Sequence, residues 1–343
     1  MQSLAQMMTL KKYLDEKRQN VANYITECYA VHYICIFEVF FMKHIFIVNP
    51  AAGKKSHATS FIPEIKDYCD SHNISYSICL TERPGHATEI AKKESESGER
   101  VRLYALGGDG TLLEVANGAK GYENVEITVI PCGSGNDYVK SYGDINEFLK
   151  IPDLIEGSPK KVDAIRCMDY LSLNICSMGM DADICARMSN YKKWPLVSGP
   201  LAYDLACIDT MIRPIGNQLD VTMETENDIE KRSGNYMFAI AANGQYYGGG
   251  YRGAPGSITD DGLLDFVLIH NISKMQALKK IGGYKKGEHY SWEICEHLRG
   301  TKMTVSCPKE INVNIDGEII HSKSVTFEIL PKYFNFVLPK TLI

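Results

Sequence analysis

Three short apolar runs in this sequence each stop at a glycine-bearing polar turn, and that repetition limits what the chain can fold into more than any other feature. Residues 45–48 run into Asn49-Pro-Ala-Ala-Gly-Lys, residues 101–106 into Gly107-Gly-Asp-Gly-Thr, and residues 127–130 into Pro131-Cys-Gly-Ser-Gly-Asn-Asp. Each run has the length and composition of a buried strand. Thr111-Leu-Leu-Glu-Val-Ala-Asn has helical apolar spacing, so Gly107 to Gly110 form an elbow between strand and helix. Without Cβ atoms the elbow lets backbone approach a phosphate closely, and the unpaired N–H groups of the first helical turn point at it. Asp109 is the odd residue in this elbow. A carboxylate repels phosphate oxygens unless a cation lies between them, which points to a metal nucleotide. A capping Asp at an ordinary turn explains Gly-Asp-Gly taken alone. Three such turns on one edge of a parallel sheet outweigh that reading.

From His44 the spacing predicts strand at 45–48, helix at 58–69, strand at 74–80, helix at 86–96, strand at 101–106, a helix after Gly110 and strand at 126–130. This is repeated βα, so residues 42–158 are expected to form an α/β nucleotide-binding domain with a parallel sheet wrapped by helices. Ligands of such sheets sit outside the strand C-termini, the edge on which Thr81 also falls. Beyond residue 158 the pattern changes. Strands are expected at 162–167, 170–176, 218–224, 236–241, 263–269, 303–307, 311–315 and 324–330, interrupted by helices at 201–212 and 274–281. Residues 159–330 therefore read as a C-terminal antiparallel β-sandwich domain. Residues 331–343 are expected to pack back onto the first domain, and the cleft between two architectures is a common ligand site.

At 343 residues, 45% hydrophobic and 23% charged, the chain can bury two cores. A formal net charge of -5 leaves no global basic field and argues against a nucleic-acid partner. The 11 Cys include no Cys-x-x-Cys pair and suit reduced thiols in a cytoplasmic protein. Residues 1–41 stand apart as a polar stretch followed by an apolar, aromatic run at 29–41. That run is too short and too interrupted for a transmembrane span and lacks a signal-peptide cleavage site. Two readings stand for it: an extension dispensable for the fold, or a helix that meets a membrane surface or a partner.

With these turns quoted, the chain resembles the diacylglycerol kinase catalytic-domain family, which includes soluble bacterial lipid kinases and sphingosine kinases. The resemblance runs from about Lys43 to Leu338. It rests on Asn49-Pro-x-x-Gly-Lys, Gly107-Gly-Asp-Gly-Thr, Gly133-Ser-Gly-Asn-Asp, Asp260-Asp-Gly-Leu-Leu-Asp and Asp316-Gly-Glu. The second of these alone is shared with NAD kinases and related to the phosphofructokinase turn. The combination implies a phosphofructokinase-like nucleotide domain joined to a β-sandwich, with the active site between them, and implies ATP and Mg2+ as cofactors.

Residue by residue, the resemblance implies that Thr81, Gly107, Gly108, Asp109, Gly110, Thr111, Leu112, Leu113, Gly133, Ser134 and Asn136 meet the nucleotide, with Asn49 and Lys54 near its phosphates. Ser134 stands where the family usually has Thr and keeps the hydroxyl. Asp109, Asp137 and Asp163 are implied to form a carboxylate and water network around the catalytic magnesium. Asp261, with the carbonyls of Ile258 and Leu263, matches a second, structural magnesium site, although an Asp-Gly turn needs no metal. Asp316 matches the general base, and Glu318 its support, within a stretch that is by itself an Asp-Gly hairpin signal. Asn243-Gly-Gln-Tyr-Tyr-Gly-Gly-Gly-Tyr-Arg matches a glycine-rich approach to the acceptor. The expectation is an ATP-dependent lipid kinase visiting a membrane surface transiently, without a transmembrane span, its oligomeric state open and a homodimer included. The rivals are an NAD kinase and a non-catalytic nucleotide- or lipid-binding sensor. A P-loop kinase is excluded because Gly53-Lys-Lys-Ser lacks the upstream Gly and the Ser or Thr after the first Lys. Protein-kinase signatures are absent.

Overall fold

The computed structural model describes residues 42–53, 57–191, 194, 197 and 199–343, so residues 1–41 and Lys54 lie outside the described residues. In the first half β1 (Lys43–Val48), α1 (Ile62–Ser71), β2 (Tyr76–Leu80), α2 (His86–Ser95), β3 (Val101–Gly107), α3 (Asp109–Gly118) and β4 (Val125–Pro131) follow one another. The four strands are parallel, in the order β4-β3-β1-β2. Every residue of β3 and β4 is buried. A strand covered on both faces is mostly apolar and shows no strict alternation, and the charges that these two carry, Arg102 and Glu126, are paired with each other.

The second half contains α4 (Ile151–Ile155), β5 (Ser158–Cys167), β6 (Tyr170–Ser172), β7 (Ile175–Gly179), α5 (Met180–Tyr191), α6 (Gly199–Ile212), β8 (Asn217–Thr225), β9 (Ile229–Ala242), β10 (Leu264–His270), α7 (Lys274–Lys286), β11 (Cys295–Ile315) and β12 (Glu318–Leu338). The strands pair antiparallel and enclose a β-sandwich core that includes Met178, Val221, Phe266, Met303, Val313 and Phe327. The opposite face of β7, β9 and β10 packs through Ile240 and Val267 against Ile184, Ala206 and Ala277 of the three helices α5, α6 and α7.

Both halves share one sheet. The far end of β12 pairs parallel with β4, Asn335 beside Glu126 and Phe336 beside Ile127, while its earlier residues pair with β11. Where two strands are expected at 303–307 and 311–315, the structure has the single 21-residue β11, with a register shift between Ser306 and Ile311. Pro308 lies in that shift. It has no N–H for the ladder, so the local pattern reads as a break although the strand continues. The expected strand at 170–176 divides into β6 and β7, and α5 has no counterpart in the sequence-based expectation.

Candidate active site

The three glycine turns stack on one another at the C-terminal edge of the parallel sheet. Gly53 has φ +67°, and a Cβ there would collide with the carbonyl oxygen of Cys132. A Cβ on Gly133 would collide with Cα of Gly108, so these two turns meet backbone to backbone. Asn136, itself at φ +50°, closes its turn by accepting from the Gly133 amide at 3.0 Å and donating to the Gly133 carbonyl at 2.9 Å. Asn49 donates to the Thr111 hydroxyl at 3.1 Å, which ties the first turn to the second. The Thr81 amide donates to the Val48 carbonyl, so Thr81 lies beside Asn49 at the same edge. Gly110 and Ser134 are exposed at the lip, whereas Thr111, Leu112 and Leu113 face inward and are buried. Gly133→Ala is expected to force the second and third turns apart. Its measurable result is a rise of about tenfold or more in the nucleotide dissociation constant, read by calorimetry, together with a lower melting temperature.

Asp109 opens α3 and reaches across to the third turn. Its Oδ1 accepts from the amides of Asp137 at 2.7 Å and Tyr138 at 3.2 Å. A Cβ on Gly135 would lie 2.9 Å from Oδ2 of Asp109 and 3.2 Å from Oδ2 of Asp137, so the two carboxylates flank the same small space. Loss of water raises the Asp109 pKa, and repulsion from Asp137 and Asp316 raises it further. Lys140 meets Asp137 Oδ1 at 2.5 Å, and the amide of Gly249 donates to Asp137 Oδ2 at 2.7 Å. Two crowded carboxylates whose ionised forms repel each other fit a divalent cation held partly through water, as magnesium prefers. Among the described residues no three acidic, His or Cys side chains close around a metal by themselves.

Asp316 occupies the two-residue turn between β11 and β12. It has φ +48° and Gly317 has φ +98°, the positive pair that a tight hairpin turn requires. Its carboxylate accepts three backbone amides: Leu173 at 2.9 Å and Asn174 at 3.2 Å on Oδ2, and Ile175 at 2.7 Å on Oδ1. Burial raises its pKa, and those amides hold the rise back. Glu318 is exposed at the start of β12 and makes no hydrogen bond to Asp316.

Asp163 and Asp261 belong to a different neighbourhood. Asp163 is buried, and its oxygens accept from the amides of Gly262 at 2.7 Å and Lys332 at 2.6 Å. Burial raises its pKa, opposed by those amides and reinforced by Asp261 and Asp260. The structure therefore groups Asp109 with Asp137 and Asp316, and Asp163 with the 260–262 turn. Asp261 accepts from the Leu263 amide at 3.1 Å and forms an ion pair with Arg299, while Asp260 lies 3.1 Å from Lys160. Protein cations thus supply the charge that a structural magnesium would bring to this turn, and Ile258 is exposed beside it. Lys140 could have been read from its position three residues after Asp137. Arg299 could not, being 38 residues from its partner.

The loop after β9 joins the site to an apolar cavity. Its Asn243 is buried and donates to the carbonyls of Asp163 and Leu173, and Asn174 donates to the Tyr246 carbonyl. Gly249 of the loop meets Asp137, while Tyr247 and Tyr251 of the same loop line a cavity of about 60 Å³. Met180, Met211, Phe238 and Trp292 line it too, and so does one carboxylate, Asp181. Asp181 is 3% exposed, and the polar groups beside its carboxylate are the Ser177 hydroxyl and the Ala182 amide. Burial pushes its pKa up to about 7, moderated by the neighbouring Ser177 hydroxyl and Ala182 amide. Sequence reasoning missed this residue, whose one signal was a further strand ending in glycine, at Gly179.

Folded Asp181 holds its proton to higher pH than an unfolded Asp near 3.8. The folded protein should therefore lose stability as pH rises from about 4 to about 7 and then level off. Asp181→Asn is expected to remove that decline, worth on the order of 2–4 kcal/mol at neutral pH. Urea denaturation of both proteins at several pH values checks the difference in slope.

Comparison with known proteins matches both halves of the chain. Residues 43–167 match the family described as diacylglycerol kinase catalytic domain, and residues 174–338 match the YegS C-terminal NAD kinase beta sandwich-like domain. A protein of Shewanella frigidimarina named "Probable lipid kinase YegS-like" is 28% identical over 78% of this chain and 89% of its own. A diacylglycerol kinase of Bacillus subtilis is 26% identical over 86% of this chain and 95% of its own. A crystal structure of a diacylglycerol kinase from Bacillus anthracis str. Sterne has the same fold, with TM-score 0.64 at 19% identity, covering 88% of this chain and 98% of that one. With residues 43–167 and 174–338 matched in order by the catalytic-domain and β-sandwich models, the chain belongs to the diacylglycerol kinase catalytic-domain family.

Proposed function

We propose that this protein transfers the γ-phosphoryl group of Mg-ATP to a lipid hydroxyl, with Asp316 as general base. The observation that carries the reading is the loop at 243–252, which contacts Asp137 of the phosphate site on one side and lines the apolar cavity on the other. A hydroxyl held near Asp316 can then extend its hydrocarbon portion towards that cavity. NAD, a polar acceptor, has no use for such a lining.

In this reading Asn49, Thr81, Gly107, Gly108, Gly110, Thr111, Gly133, Ser134 and Asn136 form or support the nucleotide-facing turns. Leu112 and Leu113 anchor α3 behind them. Asp109 and Asp137 would hold magnesium, which when bound neutralises phosphate oxygens. Asp163 is held by the Gly262 and Lys332 amides, and Glu318 opens β12 directly after the turn that carries Asp316, where it would support the base. As the bond from the γ-phosphorus to the ADP oxygen breaks, a new bond forms to the lipid oxygen, and the hydroxyl proton passes to Asp316. The raised pKa of Asp316 suits that transfer, because a carboxylate with lowered pKa would be a poorer base. Three backbone amides fix its orientation in advance, so no rearrangement is needed at the moment of transfer.

The test is transfer of label from γ-labelled ATP to dispersed diacylglycerol, sphingosine and NAD offered in parallel. Label in a lipid supports the proposal. Label in NAD alone would replace the acceptor class, and ATP binding without transfer would favour a sensor.

A further inference from the structure

No helix among the described residues is long and apolar enough to cross a membrane. A kinase acting on a bilayer lipid then needs a face on which to land. The outer surface of α6 and α7 has an unusual composition for a face left to solvent. On α6, Ala202, Ala206 and Thr210 are buried, while Leu201, Ile208 and Ile212 point outward, with Ile208 62% and Ile212 74% exposed. On α7, Ala277 is buried and Met275 and Leu278 are 64% and 58% exposed. Lys274 Nζ donates to the Ile212 carbonyl at 2.8 Å, so the end of one stripe meets the start of the other. Scattered exposed apolar residues need no explanation, but a joined set of this kind marks an interaction surface.

The charges on α7 are one-sided, whereas α6 carries Asp204 and Asp209 in its sequence, with Asp209 paired to Arg187 and Arg213. α7 carries Lys274, Lys279, Lys280, Lys285 and Lys286 and no acidic residue, in a chain whose net charge is -5. None of the five makes an ion pair among the described residues. Lys280 and Lys285 lie over the rings of Trp292 and Tyr251, and Lys274 is held by the Ile212 carbonyl, so the exposed leucine, isoleucine and methionine together with Lys279 and Lys286 are what complement an anionic lipid surface. The inner faces of the same helices line the cavity, through Cys207 and Met211 of α6 and Ala277 and Ile281 of α7. The candidate landing face and the candidate hydrocarbon site are thus opposite sides of one helical layer.

We propose that the outer face of α6 and α7 docks on an anionic bilayer, its apolar stripe entering the boundary between headgroups and acyl chains and Lys279 and Lys286 contacting headgroup phosphates. The inference rests on the lipid-kinase reading for its purpose, and its test separates the two. Full-chain protein is sedimented with phosphatidylcholine vesicles, with and without about 30% phosphatidylglycerol. Binding is expected to be about tenfold tighter with the anionic lipid and to weaken with salt. The triple substitution Ile208→Asn, Ile212→Asn, Leu278→Asn should weaken it about tenfold, and Lys279→Glu with Lys286→Glu should abolish the anionic preference. The substituted positions are exposed, and an unchanged melting temperature and ATP affinity verify the fold.

Transfer to long-chain diacylglycerol in vesicles should fall with binding, while transfer to a dispersed short-chain diacylglycerol should not. Variants that bind vesicles as the parent does would overturn the proposal, as would a parent that binds neither vesicle. A concentration-dependent dimer lost in the triple variant, with vesicle binding intact, would reassign the face to self-association. Vesicle binding lost in the variants, with no transfer to any lipid even by the parent, would uphold the docking face and sink the kinase reading instead.

Discussion

Asp316→Asn is expected to lower phosphoryl transfer by about 10²- to 10⁴-fold, the usual range for removing a general base. An amide of the same shape cannot accept the hydroxyl proton. Its NH2 group would also confront at least one of the three amides that now donate to Asp316, from Leu173, Asn174 and Ile175. Such a mismatch costs about 1–3 kcal/mol of stability, so the melting temperature should fall modestly as well. Asp316 hydrogen-bonds to residues 173–175 and reaches Asp109 through charge alone, so ATP affinity should change far less than the rate. Steady-state rates beside calorimetric ATP titrations separate the two effects. A variant that lost ATP binding in proportion to its rate would show Asp316 to be a binding group instead.

The largest expected effect on stability lies behind the parallel sheet. Arg102 of β3 and Glu126 of β4 are both buried and pair at 2.7 Å. Arg102 also donates to the carbonyls of Leu154 and Ile155, at the end of α4, at 3.0 and 2.8 Å. One guanidinium thus joins two strands to the last turn of a helix. Glu126→Gln keeps the volume and leaves the buried guanidinium without its counter-charge, which costs about 3–5 kcal/mol in comparable cases. Replacing both residues by apolar ones of similar volume should cost much less, because no charge is then stranded. Urea midpoints of the single and double variants measure the difference.

The parts of this molecule that could be read in advance are those whose physics is local. A strand running into Gly107-Gly-Asp-Gly-Thr declares its elbow within nine residues, and Asp316-Gly317 declares its hairpin within two. The stacking of the turns follows from strand order, which repeated βα units restrict closely. The helix at 274–286 was legible in its first half, while its continuation through Gly282 and Gly283 was hidden by two residues that disfavour helix.

What stayed hidden depends on partners far apart in sequence. Asp163 takes its orientation from an amide 169 residues away, and Asp316 from amides 141 to 143 residues away. No spacing rule encodes such contacts. The same holds for Asp261, whose Asp-Gly setting suggests either a turn or a metal, whereas Arg299 arrives from β11 to pair with it. β12 shows the limit most clearly. Its residues 324–330 alternate like a sandwich strand, and although residues 331–343 are expected to return to the first domain, nothing local says that they do so as the same strand, paired with β4.

The measurement that bears most directly on the account is the appearance of labelled phosphate in dispersed diacylglycerol, incubated with full-chain protein, γ-labelled ATP and magnesium. The account predicts label in the lipid, dependent on magnesium and nearly absent with Asp316→Asn. Undiminished transfer by that variant, or intact ATP binding with no label in any hydroxyl-bearing lipid, would contradict it.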